Sequence, residues 1–231
     1  MQRTVLLTGA SRGIGRSIAK RLLDDGHRLS LGLRDPDSLR GTELDVDGVA
    51  HHPYDARDPA SAEAWVESTI HQWGQIDTLI HCAGILRRTP LLFANGEERD
   101  RDELWSVNVM GPWWLTRAAW SQLASHGEGR IQVMVSMSGK RCKGSLAGYT
   151  ASKFALMGLC QTMRNEGWEA GIRVTAICPG WVNTDMAAAV QAIPAEAMTQ
   201  PQDIADLSAD LLRLPNTAVP FELAINCTLE R

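Results

Sequence analysis

Thr8-Gly9-Ala10-Ser11-Arg12-Gly13-Ile14-Gly15 follows a short apolar run, Arg3 to Leu7, and opens a helical pattern that lasts to about Asp25. Glycines between a strand and a helix let the backbone approach a bulky anion with no Cβ in the way. The helix start adds free N–H groups and a partial positive charge. The turn therefore reads as a pyrophosphate cradle. A glycine pattern alone is weak evidence; its place at the first strand-to-helix junction gives it weight.

Outward from this turn, strands and helices alternate. Further strands are expected at Arg28–Leu33, Val49–Tyr54, Thr78–Cys82, Gly129–Ser136, Arg173–Cys178 and Phe221–Cys227. Helices are expected at Pro59–Trp73, Asp102 to about Ser125, Ala147–Glu169 and Pro201–Leu212, with a short piece from Thr184 to about Ile193. Gly111-Pro112 falls inside one of them, where proline should kink the helix or loosen one turn. Strands separated by helices imply right-handed parallel crossovers with helices on both faces. The expectation is an α/β, doubly wound Rossmann-type parallel sheet of about seven strands, a single domain over residues 1–231.

Composition narrows the function classes. The 231 residues are 44% hydrophobic and 22% charged, with a formal net charge of -4. These are globular proportions, and the charge argues against nucleic acid as a partner. No apolar run is long enough to span a membrane, and Met1-Gln2-Arg3 leads into a strand without a signal-peptide pattern. The five cysteines (82, 142, 160, 178 and 227) are scattered, with no C-x-x-C spacing. A reduced, cytoplasmic protein with no metal site is expected.

Tyr149 and Lys153 lie one helical turn apart and share a face. A free tyrosine titrates near about 10 and is a poor base at neutral pH, and a neighbouring ammonium should lower that value. Tyr-x-x-x-Lys is weak alone, but here it stands just inside the helix that follows the fifth strand.

Thr-Gly-x-x-x-Gly-x-Gly, Ser136 and Tyr149-x-x-x-Lys153 together resemble the short-chain dehydrogenase/reductase family, from Thr4 to about Met186. The resemblance implies a nicotinamide cofactor and hydride exchange between a carbonyl and an alcohol. It assigns Asn108, Ser136, Tyr149 and Lys153 to catalysis. Ser136 would position the substrate oxygen, Tyr149 would pass the proton, and Lys153 would tune Tyr149 and hold the ribose. Asn108 would hold a water in the proton relay. Ser138, facing the same side by strand alternation, is the alternative to Ser136. The cofactor set implied is Gly9, Ser11, Arg12, Gly13, Ile14, Gly15, Arg34, Asp55, Ala83, Gly84, Tyr149, Lys153, Pro179, Gly180, Val182 and Thr184. Where the family usually carries asparagines before Ala83-Gly84, this chain has His81-Cys82, which reads as strand packing.

The end of the second strand selects the cofactor. A carboxylate there would bind the ribose hydroxyls of NAD and repel a 2′-phosphate. Leu33 stands there, followed by Arg34, and Arg12 reaches the same pocket. Guanidinium groups suit phosphate, so NADP(H) is expected. Asp35 and Asp37 lie close behind and leave NAD(H) open.

The substrate is expected to be a small carbonyl or alcohol, seated against Leu86–Asn95, Met137–Leu146 and Trp181 to about Met198. Lys140, Arg141, Lys143, Arg87 and Arg88 read mainly as solvated charges, and otherwise as attraction for an anion. Trp113, Trp114 and Trp120 divide between core and a homodimer or homotetramer interface. The rival reading is a non-catalytic NADP(H)-binding sensor or scaffold on the same fold.

Overall fold

The structure is a computed structural model that describes residues 2–142, 144–188 and 193–227. Seven parallel strands form one sheet in the order β3-β2-β1-β4-β5-β6-β7. They are β1 (Thr4–Thr8), β2 (Arg28–Leu33), β3 (Val49–Pro53), β4 (Thr78–His81), β5 (Arg130–Met134), β6 (Arg173–Pro179) and β7 (Glu222–Ile225). The helices are α1 (Gly13–Asp24), α2 (Pro59–Trp73), α3 (Glu98–Trp105), α4 (Gly111–Ser125), α5 (Ala147–Gly167) and α6 (Pro201–Arg213).

Side-chain alternation along the strands feeds two cores. Leu6, Leu79, Ile131, Val133, Val174 and Ala176 face α2, α4 and α5. Val5, Leu7, Ile80, Met134 and Ile177 face α1 and α6. On α1 the buried residues are Gly15, Ile18, Ala19 and Leu22, one stripe at helical spacing. Both ends of α2 follow from sequence. The Asp58 carboxylate accepts from Ala60 N at 3.0 Å, Pro59 occupies the first turn, and Gly74 ends the helix at φ 77°.

The long helix expected from Asp102 to Ser125 differs in form. It begins earlier, at Glu98, and is divided by a π turn over Ser106–Met110, where Gly111 N–H bonds Ser106 O. Pro112 has no N–H to offer the Asn108 carbonyl, so the ladder loosens just before it. The expected run of β5 to Ser136 is also shorter. The strand ends at Met134, and Met137–Gly139 is a 3-10 turn. Strand alternation therefore does not place Ser138. Between Thr184 and Ile193 only a 3-10 turn, Asp185–Ala187, is seen, and residues 189–192 lie outside the described residues.

β1 and β4 are neighbours whose onward connections run to opposite sides of the sheet. A crevice opens at their carboxyl ends, as it does in open α/β sheets generally.

Candidate active site

A cleft of about 720 Å³ runs along the carboxyl ends of the strands. The glycine turn, Arg34 and Asp55 line it at one side, and Ser136, Tyr149 and Lys153 line it at the other. Gly9, Ser11, Arg12, Gly13, Ile14, Gly15, Ala83, Gly84, Pro179, Gly180, Val182 and Thr184 also face it. The proposed cofactor positions thus share one cavity.

The turn at its floor needs its glycines. Gly9 has φ 78°, and a Cβ there would lie 2.7 Å from Ala83 N; one on Gly15 would lie 2.2 Å from Gly9 O. Thr8 Oγ1 accepts from both Cys82 N and Ala83 N at 3.0 Å, which ties the ends of β1 and β4 together. Thr184 lays its methyl group near Gly13, 3.3 Å from where a Cβ would stand. The cradle and the open start of α1 fit a pyrophosphate. Pro179 ends β6, and Gly180 N bonds Ile225 O at 2.7 Å, fixing the turn that carries Val182 and Thr184.

At the adenosine end, Leu33 is buried and Arg34 is exposed. The two carboxylates behind them are engaged. Asp35 accepts from Asp37 N at 3.1 Å, and Asp37 pairs with Arg40 at 3.1 Å. Asp55 is held by Arg57, whose Nε lies 2.9 Å from Oδ1; this bond is the main reason its pKa is lowered. Sequence reading missed Arg57, although its spacing of two from Asp55 was visible.

At the other end, Tyr149 and Lys153 are 7% and 5% exposed, with Lys153 Nζ 5.7 Å from the phenol ring centroid. Lys153 Nζ donates to Met134 O at 3.0 Å. Burial lowers the ammonium pKa to about 8. Burial also raises the Tyr149 pKa, and hydrogen bonding to Ser136 offsets only part of the rise. The net shift at Tyr149 is therefore upward, opposite to the lowering expected from Lys153. Desolvation of the phenol is the larger cause and sets the direction. The contact with Ser136, rather than Ser138, favours Ser136 as Tyr149's partner. Ser136 has φ 134°, a region that favours glycine, and its Oγ accepts from Ser138 N at 3.1 Å. Such a conformation costs on the order of 1–3 kcal/mol and must be held by its surroundings.

Asn108 sits in the π turn, buried. Its Oδ1 accepts from Ile85 N at 2.9 Å, and its Nδ2 donates to Ile85 O at 3.0 Å and Ser152 Oγ at 3.1 Å. Ser152, another residue missed in the sequence, donates in turn to Tyr149 O at 2.8 Å. A Cβ on Gly84 would stand 3.3 Å from Asn108 Oδ1 and 3.7 Å from Lys153 Nζ, so both side chains come close to Gly84.

Beside the cleft, His81 does more than pack. Its Nε2 lies 2.9 Å from Thr116 Oγ1, linking β4 to α4, and burial lowers its pKa to about 3. Cys82 lines the cleft, with its thiol pKa pushed up to about 12 by burial. Of the entrance cations, Lys140 pairs with Glu222, Arg87 pairs with Glu103 at 2.9 Å, and Arg141 Nη2 bonds Asn226 Oδ1 at 3.3 Å. Lys143 lies outside the described residues. Among the described residues, no three His, Cys, Asp or Glu side chains gather as a metal site. No described helix is long and apolar enough to cross a membrane.

A sequence profile for short chain dehydrogenases matches residues 3–194. The chain belongs to the short-chain dehydrogenase/reductase family. It is 35% identical over 232 residues to an agropine synthesis reductase of Rhizobium rhizogenes, covering 98% of this chain and 53% of that protein. It thus spans about half the length of that relative. An alcohol dehydrogenase from Thermococcus sibiricus, complexed with 5-hydroxy-NADP, superposes with a TM-score of 0.88 at 28% identity, covering 100% of this chain and 99% of the other. A 3-ketoacyl-(acyl-carrier-protein) reductase from Brucella melitensis, complexed with NADH, superposes with a TM-score of 0.86 at 26% identity, covering 97% and 96%.

Proposed function

We propose that residues 1–231 form one catalytic domain, an oxidoreductase that interconverts a carbonyl and an alcohol on a small molecule. The observation that carries this is the convergence of Ser136, Tyr149 and Lys153 at one end of a cleft whose other end is a glycine cradle. The residues fit a nicotinamide cofactor, which supplies or accepts the hydride when bound. Ser136 donates a hydrogen bond to the substrate oxygen. Tyr149, whose phenol is protonated at neutral pH and is made a weaker acid still by burial, delivers its proton to that oxygen on reduction and recovers it on oxidation. Lys153 holds the ribose and offers positive charge to the phenolate. Asn108, clamped to Ile85 and Ser152, would hold a water of the proton relay near Lys153.

NADP(H) is the preferred cofactor in this reading, for three reasons. The end of β2 carries Leu33 where a carboxylate would select NAD, Arg34 and Arg12 line the rim, and of the carboxylates behind them Asp37 pairs with Arg40 while Asp35, which also lines the cleft, turns Oδ1 to Asp37 N. The Thermococcus protein bound a form of NADP and the Brucella protein bound NADH, so the preference rests on these residues. A cytoplasmic setting and a homo-oligomer belong to the same proposal.

The test is a panel of aldehydes, ketones and alcohols, followed by nicotinamide absorbance with both cofactors. NADPH turnover with at least one carbonyl, at a kcat/KM above that for NADH, is expected. A higher kcat/KM for NADH would overturn the cofactor reading. Cofactor binding with no turnover across the panel would favour the sensor.

A further inference from the structure

Arg12 stands just ahead of α1, on extended backbone, and its side chain caps nothing. Its Nη1 lies 3.5 Å from Oδ2 of Asp185, in the turn that follows β6. Both groups are open to water, at 75% and 77% exposure, and both line the cofactor cleft. The preceding residue, Thr184, rests its methyl group on Gly13. The segment at Thr184 and Asp185 therefore lies against the glycine turn, and the ion pair bridges the cleft rim there. Arg34, the other cation at the adenosine rim, is exposed and influences Asp55 only by charge.

A guanidinium cannot serve Asp185 and a 2′-phosphate equally well at once. Its forked donors prefer the phosphate, which carries more charge and more acceptor oxygens. A dinucleotide with a 2′-phosphate must draw Arg12 away from Asp185. One without it leaves the pair intact. We infer that Asp185 is a specificity-determining residue that competes with the 2′-phosphate for Arg12 and so moderates the preference for NADP(H) over NAD(H). This rests on the reading of Arg12 as a phosphate ligand. Exposed ion pairs are weak, so the expected effect is about two- to fivefold.

The probes are 2′,5′-ADP, which carries the 2′-phosphate, and 5′-ADP, which does not. Their affinities are measured by calorimetry on the wild type, Asp185→Asn, Arg12→Ala and the double variant. Asp185→Asn should tighten 2′,5′-ADP about two- to fivefold and leave 5′-ADP unchanged. In the Arg12→Ala background the same substitution should have no effect, because the pair is already gone. Equal tightening of both probes, or an effect that persists without Arg12, would show Asp185 acting as a plain local charge and overturn the inference. If Arg12→Ala alone leaves the ratio of the two affinities unchanged, the phosphate reading of Arg12 fails and the inference falls with it.

Discussion

His81 stands where the family usually carries asparagine, and its burial gives the chain an acid liability. The ring is neutral in the folded protein, with a pKa of about 3. An unfolded histidine titrates near about 6.5. Between those values the unfolded state takes a proton that the native state refuses, so stability falls as pH drops through this window. From pH 7 to pH 5 one such group costs about 2 kcal/mol. His81→Asn retains an amide that can reach Thr116 and removes the titration. Urea midpoints should show a smaller loss from pH 7 to pH 5 in the variant than in the wild type. Equal losses would mean that His81 is not the titrating group. The same distinction explains what could be read from sequence at this scale. Tyr149 and Lys153 were legible because one helical turn separates them. The hydrogen bond between His81 and Thr116 and the clamp of Ser152 on Asn108 join residues 35 and 44 positions apart, and no local pattern encodes them. The lowered Tyr149 pKa expected from Lys153 failed for a related reason: spacing gives proximity, but burial sets the sign.

Arg28–Leu33 and Pro59–Trp73 fall at the expected bounds, because alternation and caps are local signals. The π turn at Ser106–Met110 was foreseen only as a loosened turn near Pro112. Its exact register depends on how the helix meets its neighbours. Gly111 is one such contact: a Cβ there would lie 2.6 Å from Ala56 Cβ and 2.9 Å from Ala56 O. Gly111→Ala should push α4 away from the Asp55–Arg57 loop. The expected cost is about 1–3 kcal/mol of stability, the usual range for overpacking, with weaker binding of 5′-ADP. Unchanged stability and affinity would show that the helix does not need this approach.

Across the whole molecule, the fold was legible because strands and helices alternate along most of the chain, with only a short 3-10 turn between β2 and β3. Quaternary structure was not. Trp114 and Trp120 pack on the core, whereas Trp113 is 50% exposed, with Trp105 and Phe154 also open on α3 and α5. Large exposed aromatics are uncommon on a free surface and are enriched at interfaces. Light scattering should therefore find a dimer or tetramer, and Trp113→Asp should reduce its mass. A monomeric wild type would leave these side chains as plain surface.

The central claim is that Tyr149 moves the proton, and Tyr149→Phe tests it most directly. The ring stays and only the hydroxyl goes, so the cleft should keep its shape. NADPH affinity, read by fluorescence, should stay within about threefold of wild type, while kcat with a carbonyl substrate should fall by about 10²-fold or more. A variant that binds NADPH normally and retains more than about a tenth of wild-type kcat would contradict the account.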